Sequence, residues 1–146
     1  MIKFQIRPFR SFLCVFLLTA SVFAQESKEH SIDKTLSRCE QKQGAYTRGE
    51  AECLSQAFDS WEKDITETYD ALKAFLPPAR LKSLEAGQTK WAEYRDEEFD
   101  LIGGIFPQRG TLYVPLRIRY RIEVVKARAL ELERYLQRVK RTREKN

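Results

Sequence analysis

One feature narrows the possible folds more than any other. Between residues 51 and 76, Ala51, Leu54, Phe58, Trp61, Ile65, Tyr69 (or Thr68), Leu72 and Phe75 with Leu76 recur at alternating steps of three and four. That spacing puts them on one stripe of a helix. A stripe this long and narrow has to lie lengthwise on another helix. Pro77-Pro78 ends the run, because the residue before a proline avoids helical angles while proline itself suits a first helical turn. A second seam follows at once, with Leu81, Leu84, Gln88, Trp91, Arg95, Phe99 and Ile102. The pair predicts an antiparallel helical hairpin with arms of roughly 25 residues.

The second seam is not purely apolar. Gln88, Trp91, Arg95 and Phe99 share one stripe, so an amide and a guanidinium point the same way as a tryptophan. Two readings stay open. Arg95 either snorkels from an ordinary amphipathic helix or belongs to a buried polar network that must supply hydrogen-bond partners. In the second case Arg95 is expected to pair with an acid of the preceding helix or with a loop carbonyl.

Around this hairpin the remaining segments read as helix and loop. Ser31 can cap a first helix from Ile32 to about Gln43, with Ile32, Leu36 and Cys39 on one face and Gly44 as its stop. Thr47-Arg48-Gly49-Glu50 has the spacing of a capping box opening the second helix. Residues 103–111 hold three glycines and a proline, which predicts a loop. Its Ile105 and Phe106 are expected either to fold back on the bundle or to form a contact patch. The last helix is predicted from near Pro115 to about Arg143. Its apolar face is read as Leu116, Tyr120, Val124 with Val125, Ala127, Leu130, Tyr135 (or Arg134) and Val139. Residues 116–124 also alternate with period two and alone would pass for a half-buried strand. The expected class is all-α: a small antiparallel bundle of one short and three longer helices.

The N-terminus reads as an export signal. Lys3, Arg7 and Arg10 precede an apolar run at residues 12–18, and Val22-Phe23-Ala24 supplies a cleavage pattern before Gln25. A retained membrane anchor is the alternative. The division expected is 1–24 signal peptide, 25–30 polar leader, 31–143 helical domain and 144–146 disordered tail, the protein being periplasmic or secreted after cleavage near Ala24. Cys14 falls inside the signal, leaving Cys39 and Cys53 as an even pair in an exported chain. A disulfide is the default. Two thiolates with the lone His30 in a polar leader make a poor metal site, and Cys-x-x-Cys redox spacing is absent.

Charge is uneven. Residues 31–100 carry 15 acidic and 10 basic side chains, net −5, whereas residues 101–146 carry 4 acidic and 12 basic, net +8. The halves either neutralise one another or face different partners.

Together, Cys53, Glu62, Ile65-Thr66, Tyr69, Gln88-x-x-Trp91-x-x-Tyr94-Arg95-Asp96-x-x-Phe99, Gly110-Thr111, Pro115 and Arg128-x-x-Glu131-Leu132 resemble the LprI-like lysozyme-inhibitor family. The resemblance spans nearly all of the chain after the signal. It implies a small exported helical domain and a lysozyme as partner. It also implies a signature core of Tyr69, Gln88, Trp91, Tyr94, Arg95 and Asp96. Three departures stand out. Glu62 takes the place of the family's Asp, Ile65-Thr66 that of Leu-Asn, and Phe99 that of a Cys whose partner would fall near Arg121. Both positions of that second disulfide are changed together, so Phe99 is expected to pack on the last helix without a covalent link.

Catalysis finds little support in the residues. One histidine in a leader rules out a Ser-His-Asp set, no phosphate-cradling glycine loop occurs, and the carboxylates fall on solvated helix faces. No cofactor or metal is expected. A binding protein that occludes a lysozyme cleft is the leading reading, with Glu93, Glu97, Asp100, Phe106 and Arg109 as contacts. The alternative is an envelope adaptor whose basic face of Arg117, Arg119 and Arg121 binds an anionic envelope component or a partner protein. Nucleic acid is disfavoured by the export signal.

Overall fold

The structure, a computed structural model, describes residues 29–43, 47–106, 110 and 112–145. The signal, most of the leader, Gly44, Arg109 and Thr111 lie outside these residues. Four helices follow in order: α1 (Ser31–Gln43), α2 (Thr47–Phe75), α3 (Pro78–Ile105) and α4 (Tyr113–Arg143). Among the described residues there is no strand, and the period-two stretch at 116–124 is helical throughout. Its alternation is overridden because the stretch continues into a long helical pattern that α2 can bury.

The packing corrects the expected hairpin. α2 and α3 do run antiparallel, with Phe58 beside Phe99 and Glu62 beside Arg95. Yet the closest backbone pairing is α2 with α4, while α2 and α3 barely approach one another. α2 and α4 are parallel: Lys126 lies over Trp61, and Lys140 and Arg143 lie over Phe75. Side-chain size explains the choice. Ala57, Ala129 and Val125 are buried in the α2–α4 core, and small residues let two helix axes close. The α2–α3 interface holds Phe58, Phe99, Trp91 and Arg95, which prop the backbones apart. α1 and α3 therefore flank a central α2–α4 pair.

The core is Leu54, Ala57, Trp61, Ile65, Leu72, Ile122, Val125, Ala129 and Leu132. The α2 stripe appears as read, with Thr68 rather than Tyr69 buried. The α4 face is rotated from the expected one: Ile122, Val125, Ala129 and Leu132 are buried, whereas Leu116, Tyr120 and Tyr135 are exposed. This helix has two apolar flanks, and the tighter partner took the flank with the small residue. α3 has only Ile102 buried.

At the other end of the chain, α1 is held at both ends. Cys39 and Cys53 form a disulfide with their Cα atoms 5.7 Å apart. Nearby, a Cβ on Gly49 would sit 3.0 Å from Gln43 Cβ, so a larger residue there would push on the end of α1. His30, expected in a solvated leader, instead caps α1. Its carbonyl accepts from Lys34 N at 3.1 Å, its Nδ1 accepts from Ile32 N at 3.3 Å, and its ring lies 4.4 Å from that of Trp61.

Candidate partner-binding surface

Several of the residues that carry the resemblance meet where α3 rests on the central pair. Arg128 of α4 donates from Nε (3.1 Å) and Nη2 (2.9 Å) to Gln88 Oε1. Its Nη1 donates to Glu131 at 2.6 Å. Arg95 of α3 donates to Glu62 of α2 at 3.4 Å and to Asp96 at 2.7 Å. Both guanidiniums lie near the Trp91 ring, Arg95 at 5.4 Å and Arg128 at 5.9 Å. The expected pairing of Arg95 with an acid of the second helix is present. Gln88, Trp91 and Arg95 are half-buried and lie beside a cleft of about 160 Å³ between α2 and α3.

Two members of the expected signature core are not in it. Tyr94 is 52% exposed and Asp96 is exposed. They sit on the flanks of the stripe, and α3 contacts only one face of the bundle. Tyr69 is half-buried, with Lys73 Nζ 4.8 Å from its ring.

Two carboxylates shift in opposite directions. Glu131 is held below the ordinary carboxylate range: burial opposes this, but donation from the Tyr135 hydroxyl and Arg128 prevails. Asp64 shifts the other way. Burial raises it, Glu133 and Glu67 add to the rise, and His30 pulls against it. Asp64 Oδ2 is buried with no hydrogen-bond partner among the described residues.

The three arginines expected to form one basic face are dispersed. Arg119 donates to Glu40 at 2.6 Å and Glu50 at 2.7 Å, tying α1 to the start of α2. Arg121 turns toward α3, its guanidinium 5.0 Å from the Phe99 ring and donating to Phe99 O at 3.5 Å. Arg117 donates to Phe106 O at 3.4 Å. Residues two apart on a helix point about 200° apart, so no single face can hold all three. Phe99 thus packs on α4 as expected, against Arg121, the residue that the resemblance places near the lost second cysteine.

The expected contact residues fare differently. Glu93, Glu97 and Asp100 are exposed. Their spacing of four and three puts them on one outward stripe of α3, with Glu93 paired to Lys90 at 2.7 Å. Phe106 folds back, its ring 4.9 Å from that of Tyr120. The helix also runs through Gly103 and Gly104 to Ile105 instead of ending at the glycines, carried by the buried Ile102 and the Phe106 N–H bond to Ile102 O.

Reading the sequence did not reveal the apolar surface beside this acidic stripe. Tyr94, Leu101 and Ile105 of α3, with Leu112, Leu116 and Tyr120 at the start of α4, are all exposed. Tyr94, Val124 and Ala127 line a groove of about 470 Å³ between the two helices. Only the spatial meeting of two chain segments makes this patch, although the misfit of Leu116 and Tyr120 with the α2-facing flank was a usable signal.

Among the described residues no helix is long and apolar enough to cross a membrane. No curated protein and no solved structure matches the chain. Residues 39–132 match the family model for lysozyme inhibitor LprI, and the chain belongs to that family.

Proposed function

We propose that this protein inhibits a lysozyme by laying the C-terminal half of α3 and the start of α4 across the enzyme's cleft. It is a binding protein with no chemistry of its own. The observation that carries the reading is the side-by-side arrangement of Glu97 and Asp100 with exposed Leu101, Ile105 and Tyr120. α3 has no basic residue in its last turn, although the negative end of a helix dipole favours cations there. Local ion pairs take up Glu93 and Asp96, but local stability does not account for Glu97, Glu98 and Asp100. A cationic enzyme accounts for them, since opposed charge steers encounter and a desolvated apolar patch holds the complex.

The test is inhibition of c-, g- and i-type lysozymes by the purified protein. Glu97→Lys with Asp100→Lys should weaken inhibition by about tenfold or more, mostly through slower association. Leu101→Ala with Ile105→Ala should speed dissociation. No inhibition of any type at micromolar protein overturns the proposal. Export to the compartment where lysozyme acts belongs to the same reading and rests on the N-terminal signal pattern. Mass spectrometry of the secreted chain, expected to begin at Gln25, tests it.

A further inference from the structure

The end of the bundle opposite the apolar patch carries a second surface. The α2–α3 turn and the end of α4 come together there, as the packing of Lys140 and Arg143 on Phe75 shows. Residues 71–84 hold Lys73, Arg80 and Lys82 and no acid. Residues 134–145 hold Arg134, Arg138, Lys140, Arg141, Arg143 and Lys145 against Glu144 alone. The two segments bring a net charge of +8 toward one pole, bordered by Asp70, Glu85, Glu131 and Glu133, with Arg134 at its edge also lining the α3–α4 groove. All nine cations are exposed. Among the described residues only Lys73 is in an ion pair, with Asp70 at 2.6 Å.

A solvated helix end explains part of this. Lys140, Arg141 and Arg143 lie in the last turn of α4, where the dipole favours cations. It does not explain Arg80 and Lys82. They open α3, whose first turn has no acid, and a helix N-terminus disfavours positive charge. Something outside the molecule is needed to make them useful.

From the placement of these nine cations we infer that the basic pole docks the protein on an anionic phospholipid bilayer. The pole is the end of a bundle, tipped by exposed Pro77 and Pro78, so its cations can meet a planar surface together. Clustered Lys and Arg are a usual footprint of acidic headgroups. α1 runs antiparallel to α2, with Cys39 at Cys53 and His30 at Trp61, so its N-terminal end points toward this pole. Docked this way, the protein holds the α3–α4 patch away from the bilayer.

The experiment uses the full chain as isolated from an expressing cell, its N-terminus read by mass spectrometry. It is sedimented with phosphatidylcholine vesicles, with and without phosphatidylglycerol. Binding is expected only with phosphatidylglycerol and should weaken about tenfold or more when salt rises from roughly 50 to 300 mM. Arg138→Glu with Arg141→Glu, and Arg80→Glu with Lys82→Glu, should each weaken binding about 25-fold or more, near fivefold per cation. These side chains are solvent-facing, and far-UV circular dichroism confirms that each variant is folded. Lys42→Glu with Arg48→Glu changes the same charge at the other pole and should leave binding within about twofold. Equal binding to neutral vesicles, or an equal loss in the control variant, overturns the inference. So does binding to soluble polyphosphate that acidic vesicles fail to compete away. Vesicle binding is read without lysozyme, so its outcome is independent of inhibition.

Discussion

At the scale of single residues, Arg95 and Asp64 show how placement decides the sign of an electrostatic effect. Arg95 joins α3 to α2 through Glu62 and covers the Trp91 and Phe99 rings. Its partners remain partly solvated, so the ion pairs themselves are weak, and much of its contribution is packing of the side-chain stem. Arg95→Ala should cost about 1–2 kcal/mol in denaturant unfolding and leave lysozyme inhibition unchanged once the protein is folded. Unchanged stability with lost inhibition would move the binding surface into the signature itself. Asp64 is the reverse case. Its folded pKa is raised above the ordinary 3.8, so the group favours the fold below that value and loses this contribution as pH rises through the raised pKa. Asp64→Asn should therefore stabilise the protein at neutral pH, by a few tenths to about 1 kcal/mol, and the gain should vanish below about pH 4. Melting curves at the two pH values check it.

At the scale of elements, α1 depends on its staples. It has no buried residue and is too short to persist alone in water. The disulfide at one end, the His30 cap at the other, and the Arg119–Glu40 and Lys126–Asp33 ion pairs hold it on α2 and α4. Closing a loop of this length stabilises by roughly 3 kcal/mol. Cys39→Ser with Cys53→Ser should lower stability by about that amount, with α1 losing proteolytic protection before the rest. The cysteine pairing could be argued from sequence, because export and an even count leave few alternatives. The role of His30 could not, since it depends on Trp61, Asp64 and Glu133, all distant along the chain.

For the whole molecule, the central α2–α4 pair with α3 laid alongside implies graded stability. α3 is fixed chiefly by long polar side chains, Gln88, Arg95 and their partners, and by Trp91 and Phe99. Native-state hydrogen exchange should find amides of α2 and α4 protected to near the global unfolding free energy and those of α3 exchanging through a cheaper opening. Uniform protection across all three would contradict this packing. A loosely held α3 also fits the proposed function, because the helix offering the binding surface buries only Ile102 in the core.

The sequence by itself determined that the chain is helical, where Pro77-Pro78 divides the two long seams, and that Cys39 and Cys53 pair. Each depends on spacing along one segment or on residue chemistry, and both are local. Only the tertiary structure decided that α2 pairs with α4, which flank of α4 is buried, and that Arg117, Arg119 and Arg121 serve three different contacts. It also gathered the apolar patch at one end and the cations at the other. Seams with similar apolar patterns are interchangeable until side-chain volume is counted: alanines let α2 and α4 close, and Trp91, Phe99 and Arg95 hold α3 away.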